Sequence, residues 1–174
     1  MAASARQLRK HWSEMRGRLS LEPPVTEVQL LSAVEKLRER PLIIAPVEMD
    51  SQGACGWWVP LPSFDLVLVD EQASGPRRLA IILHELGHML LGHTPRAVGS
   101  LVSPQWVADF DLLPASLLQG ATGLARSSYA DGAEEEAERY GTMLFGQISE
   151  GERQVADQAA DPMLALLRDS LGCG

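Results

Sequence analysis

Residues 81 to 89 read Ile81-Ile82-Leu83-His84-Glu85-Leu86-Gly87-His88-Met89, an H-E-x-x-H pattern set inside an apolar run. No other stretch limits the chain so tightly, because on a helix this spacing separates a packing face from a chemical one. At roughly 100° per residue, His84 and His88 lie about 40° apart with Glu85 on the same flank of the cylinder. Leu79, Ile82, Leu83, Leu86, Met89 and Leu90 gather within roughly a third of the circle on the opposite side. Neutral imidazoles suit Zn²⁺, and a carboxylate one residue after the first ligand can approach an activated water without itself coordinating. His84 and His88 are therefore candidate metal ligands and Glu85 the candidate general base. Burying these groups in an Ile/Leu-rich helix without partners would cost several kcal/mol, and a metal removes that penalty for the two imidazoles.

A chain of 174 residues suits one domain, 1–174, with a sizeable core. Its net charge of −8 argues against general binding to nucleic acid or anionic membrane, which needs excess Lys and Arg. Basic residues do gather near the start, with Arg6, Arg9, Lys10, Arg16 and Arg18 against Glu14, yet no apolar core there is long enough for a signal peptide. No later run reaches the length of a membrane span. Cys55 and Cys173 are the only cysteines, too few for a disulfide scaffold. The expectation is a soluble cytoplasmic protein without direct nucleic-acid or membrane contact.

Residues 1–22 form an N-terminal unit whose Leu8, Trp12, Met15 and Leu19 make one stripe of an amphipathic helix. Pro23-Pro24 breaks the chain, and Thr26 with Gln29 offers a capping box for a helix carrying Leu30, Leu31, Val34 and Leu37, which Pro41 ends. Leu42 to Val47 reads as a strand whose Pro46 favours an edge. Gly56 to Val59 and Phe64 to Val69 read as two further strands joined at Pro60-Leu61-Pro62-Ser63, so a small antiparallel sheet is expected. Trp57 and Trp58 should point to opposite faces of their strand, with both covered. Ser74-Gly75-Pro76 starts the H-E-x-x-H helix, and Gly92 or Pro95 stops it. Short helices and loops are expected from Thr94 to Ala130. A strong helix then runs from Asp131-Gly132-Ala133-Glu134 to about Ile148, and Asp161-Pro162 starts a last short one within a helical tail, 150–174.

A catalytic zinc site needs a third protein ligand and one open position. His93 is the nearest candidate, but H-E-x-x-H-x-x-G-x-x-H would require Gly at 91 and His at 94, where this chain has Leu91 and Thr94. On a continuing helix His93 projects roughly opposite His84, so it reaches a metal only after a sharp chain reversal; otherwise it is a helix-end cation. The other source is Glu134-Glu135-Glu136-Ala137-Glu138. Ala137, Tyr140, Gly141, Leu144, Phe145 and Ile148 define a packed arc with Glu134 on its margin and Glu138 beside it, which leaves Glu135 and Glu136 facing solvent. Glu134 is then either a ligand or the reciprocal half of a capping box begun by Asp131.

The segments His84-Glu85-Leu86-Gly87-His88-Met89-Leu90-Leu91-Gly92-His93 and Glu134-Glu135-Glu136-Ala137-Glu138-Arg139-Tyr140-Gly141 resemble the ImmA/IrrE family of zinc metallo-endopeptidases. The second is similar to the family's E-x-x-A-[D/N]-x-F-A segment. Arg126-Ser127-Ser128-Tyr129 before it resembles an actinobacterial-type subgroup. The resemblance covers roughly residues 25 to 148. It implies an α+β, zincin-like fold, with the small sheet packed on the H-E-x-x-H helix and a following Glu-bearing helix, and it implies that Glu134 is the third zinc ligand. It also implies a regulatory protease acting on a helix-turn-helix transcriptional repressor in response to stress or mobile-element signals, some members being toxin components. Glu138 stands where the family has Asp or Asn, Tyr140 and Gly141 replace Phe and Ala, and the proline after the following leucines is missing.

The expected activity is thus a cytoplasmic zinc endopeptidase with His84, His88 and Glu134 as ligands and Glu85 as base. Tyr129 and His93 are candidates for an oxyanion donor, against plainer roles as an exposed aromatic and a helix end. Glu138 is a candidate for orienting His84. Cys55 reads as a free core thiol, the rival being a thiolate on the open metal position. The functional rival is a non-proteolytic zinc-containing regulator that sequesters a transcription factor; a degenerate structural domain is the third reading.

Overall fold

The computed structural model describes residues 3–49, 55–94, 96–100, 125–128 and 132–170. Within them the chain is α+β, with four helices and five strands. Helix α1 (Ala5–Arg18) opens with a capping box in which Ser4 and Gln7 satisfy each other's backbone, and it buries Leu8, Trp12 and Met15. Helix α2 (Glu27–Arg38) uses the expected Thr26 and Gln29 box and buries Leu30, Ala33 and Val34. Strands β1 (Leu42–Val47), β2 (Gly56–Pro60) and β3 (Asp65–Asp70) follow. Helix α3 (Gly75–Leu91) carries the H-E-x-x-H residues, has proline in its first turn and ends on Gly92 at φ 72°. A two-stranded ribbon of β4 (Arg96–Ser100) and β5 (Ala125–Ser128) precedes α4 (Ala133–Ser170).

The three-stranded sheet is mixed rather than antiparallel, with order β1-β3-β2. β2 and β3 form the expected antiparallel hairpin, closed by Leu61 N–H donating to the Phe64 carbonyl at 2.9 Å. β1 instead adds to the far side of β3 in the parallel sense, pairing Leu42 with Asp65 and Val47 with Asp70. Central β3 is buried on both faces, as its near-continuous Leu66-Val67-Leu68-Val69 run requires. Pro46 accordingly sits on an edge strand, where no inter-strand donor is lost.

The main core lies between this sheet and the helices, joining Trp12, Leu30, Val34, Trp58, Val67, Leu83, Leu86, Tyr140 and Leu144. A smaller cluster of Ala45, Val47, Leu61, Phe64, Leu66 and Leu68 covers the other face, with Trp57 packed against it. The two tryptophans therefore split between faces, and Trp58 is the buried one. Its indole N–H donates to Asp65 at 2.9 Å, and Asp65 also accepts from both Nε and Nη2 of Arg38. That carboxylate can be buried because it is paired and fully hydrogen-bonded.

Helix α4 corrects the expectation of two separate helices, since it continues unbroken from Ala133 to Ser170. The intervening residues 149–160 are dominated by Glu, Arg, Gln and Ala, whose helix propensity sustains it. α3 and α4 form the closest helix pair, and small residues set their approach. A Cβ on Gly87 would stand 3.1 Å from the Ala137 carbonyl oxygen, and one on Gly141 would stand 3.1 Å from His84 Cα. The residue that replaces alanine in the resembled motif is thus the one that lets α4 reach the histidine backbone. No helix among the described residues is long and apolar enough to cross a membrane.

Candidate metal centre

Gly75–Leu91 folds as one helix because its first-turn proline and the glycine that follows it agree with its apolar stripe, although the Ser74 side chain makes no capping hydrogen bond. That helix fixes the orientation of three polar side chains. His88 is fully buried, Glu85 is buried and His84 is a quarter exposed. The close crossing at Gly87 and Gly141 then carries the first turn of α4 over the imidazoles. Glu134 Oε2 lies 3.3 Å from His84 Nε2 and 3.5 Å from His88 Nε2, and the two Nε2 atoms are 3.1 Å apart. His84, His88 and Glu134 therefore form a group that can hold a metal ion, with donor atoms all within 4.8 Å of one another.

Glu85 turns toward the sheet. Its Oε2 accepts from the Trp58 backbone N–H at 2.9 Å, a donor on the outer edge of β2. Gly56 leaves the space for it, since a Cβ there would lie 3.3 Å from Glu85 Oε1 and would overlap Ile81. Burial pushes the Glu85 carboxyl up to about 8; the Trp58 N–H opposes that rise and the Glu134 charge adds to it. Burial, with the neighbouring His84 and His93, pulls His88 down to about 3, so this imidazole is neutral and keeps a lone pair for a metal.

The flanking residues depart from expectation in an instructive way. His93 lies outside the grouped donors, and its ring turns back over the last turn of α3 instead of projecting opposite His84. Gly92 takes the left-handed conformation and turns the chain back, so that His93 N–H donates to the His88 carbonyl and His93 Nδ1 meets His88 Nδ1 at 2.9 Å. Its Nε2 lies 3.2 Å from Glu136 Oε2. Glu136, expected to face solvent, is only 22% exposed, and its other oxygen accepts from the Ala3 backbone N–H at 2.5 Å. Helical phase within α4 carried no sign of this, because both partners come from other parts of the chain. The Gly92-His93 pair did carry one: a glycine that reverses the chain returns the next side chain over the last helical turn.

Glu138 stands 3.6 Å from His84 Nδ1 but is 74% exposed, and Glu135 faces solvent as expected, paired with Arg139. Cys55 corrects the core-thiol reading, because it is exposed just before β2 and lies 3.8 Å from Arg77 Nη2. It is not among the grouped metal-type donors. Tyr129, Asp131 and Cys173 lie outside the described residues. A cleft of about 370 Å³ opens beside His84, walled by Pro76, Ala80, Thr142 and Phe145 with Glu138 at its rim. No family model, curated protein or solved structure matches this chain.

Proposed function

We propose that the chain is a zinc-dependent endopeptidase of zincin type, with His84, His88 and Glu134 holding the ion and Glu85 serving as general base. The observation that carries this reading is the triangle of donor atoms, with sides of 3.1, 3.3 and 3.5 Å. Tetrahedral zinc with arms of about 2.05 Å separates its donors by about 3.3 Å. Two imidazoles and a carboxylate also match zinc in ligand type and leave a position for substrate. Zinc held there would supply Lewis acidity, to activate water near neutral pH and polarise a carbonyl.

The protein's own groups divide the remaining work. Neutral His88 offers its Nε2 lone pair, and Glu134 brings a negative charge that favours a dication. A cation nearby would favour the Glu85 carboxylate, offsetting the burial that keeps it protonated. Glu85 then takes a proton from water and returns it to the leaving amine. The similarity of the two motif segments to ImmA/IrrE peptidases supports a cytoplasmic regulatory role and a helix-turn-helix repressor as substrate.

Zinc-loaded protein incubated with a peptide library and read by mass spectrometry tests the activity. Wild type is expected to cleave, whereas Glu85→Gln should retain zinc and lose at least about a hundredfold in rate. Cleavage by Glu85→Gln at the wild-type rate would refute the assigned base. Zinc binding by wild type with no cleavage of any peptide would favour the sequestering regulator.

A further inference from the structure

We propose that His93 and Glu136 are positioning residues for the metal ligand His88, linked as carboxylate to imidazole to imidazole. The proposal rests on His84, His88 and Glu134 being the ligand set. Three contacts define the chain of groups: His88 Nδ1 to His93 Nδ1 at 2.9 Å, His93 Nε2 to Glu136 Oε2 at 3.2 Å, and Ala3 N–H to Glu136 Oε1 at 2.5 Å.

Proton placement along this chain has a self-consistent solution. His88 Nε2 faces His84 and Glu134, so coordination there requires its lone pair and puts the His88 proton on Nδ1. That proton must be given away, and His93 Nδ1 accepts it. The His93 proton then sits on Nε2, where the Glu136 carboxylate accepts in turn. Each donor meets an acceptor, and the chain ends on a negative charge held by the N-terminal segment. Arg139 Nη1 donates to the Ala3 carbonyl at 3.2 Å, fixing that segment from the other side. A ligand histidine whose second nitrogen is held this way has its tautomer and ring orientation set before the metal arrives.

Sequence and fold both contribute to the construction. Gly92 reverses the chain and returns His93 to His88, while α4 supplies Glu136 two residues after Glu134. One turn of helix thus offers a ligand on one flank and a positioning carboxylate on another. Burial makes the link matter, because His88 is fully buried and its Nδ1–H has little access to water.

The test is zinc affinity of the full-length protein by chelator competition, with cobalt substitution to read ligand geometry. His93→Phe removes the acceptor and should weaken zinc by about tenfold to a hundredfold and shift the cobalt absorption bands. His93→Asn keeps an acceptor oxygen near the Nδ1 position and should recover most of that loss. Glu136→Gln, an isosteric change at a part-exposed side chain, should weaken zinc by a smaller factor. Melting of the metal-free proteins separates this from packing, because His93→Phe and His93→Asn should melt alike while differing in zinc affinity. Wild-type affinity and cobalt spectrum in both His93→Phe and Glu136→Gln would overturn the proposal. So would equal zinc loss in the two His93 variants. His84→Ala and Glu134→Ala serve as controls: if they too bind zinc as wild type does, the ligand set itself is wrong and both readings fall.

Discussion

The two imidazoles of the centre stand in opposite surroundings. His88 is fully buried, and the groups behind it, His93 and Glu136, are 12% and 22% exposed. His84 is 25% exposed, and the carboxylates beside it, Glu134 and Glu138, are 61% and 74% exposed. The His88 flank is therefore built into the core, where a misplaced proton or methyl group is felt strongly. The His84 flank opens to solvent beside the 370 Å³ cleft, where water screens each charge. A site assembled this way has one ligand fixed by packing and two adjustable from the surface. Identical chemistry on the two sides should respond very differently to mutation.

The sharpest way to break the comparison is to push the helices apart. Gly141→Ala would place a Cβ 3.1 Å from the His84 backbone, so α4 must shift and carry Glu134 with it. A loss of about 1–3 kcal/mol in thermal stability is expected, with a fall in zinc affinity of more than about tenfold, measured together by calorimetry and chelator competition. Gly146→Ala on the same helix meets nothing within 4 Å and should instead stabilise by about 0.5–1 kcal/mol.

A smaller effect comes from the buried side at changing pH. In metal-free protein Glu85 binds its proton more tightly folded than unfolded, with its pKa raised from 4.5 to about 8. Its contribution is full below 4.5 and is lost as pH rises through about 8. His88, lowered from 6.5 to about 3, acts in the opposite sense: its contribution is full above 6.5 and is lost as pH falls toward 3. Above pH 6.5, then, Glu85 acts without His88 opposing it, and wild-type stability should fall by on the order of 2 kcal/mol up to about pH 8. Glu85→Gln should remove that slope in metal-free denaturation curves. The smallest effect belongs to the open side, where Glu138→Gln should change zinc affinity by less than about fivefold, as suits an exposed pair worth about 0–1 kcal/mol.

How much of this was legible depends on the range of the interaction involved. Thr26 with Gln29 and the Gly75-Pro76 to Gly92 limits of α3 are local, and the amphipathic stripe of α1 and the motif helix follow from spacing alone. Glu134 was legible only in part: helical phase put it on the margin of the packed arc with Glu138 beside it and left a capping role open, and the resemblance of the segment singled it out. The parallel pairing of β1 was not legible, since an apolar run such as Leu42 to Val47 says nothing about strand direction. Glu136 was hidden for a similar reason, with one partner 43 and the other 133 residues away. Asp65 reads as a polar residue at a strand end until Arg38 and Trp58 are brought to it by α2 and the hairpin. In each case the missing information was tertiary: which surfaces meet, rather than which element forms.

Three side chains from α3 and α4 meeting around one cation is the claim on which the functional reading depends, and zinc content of purified protein tests it most directly. Wild type should carry one zinc per chain and Glu134→Ala should carry almost none after dialysis against a weak chelator, with the metal-free proteins melting alike. Equal zinc content in the two, or a wild type that never binds zinc, would contradict it.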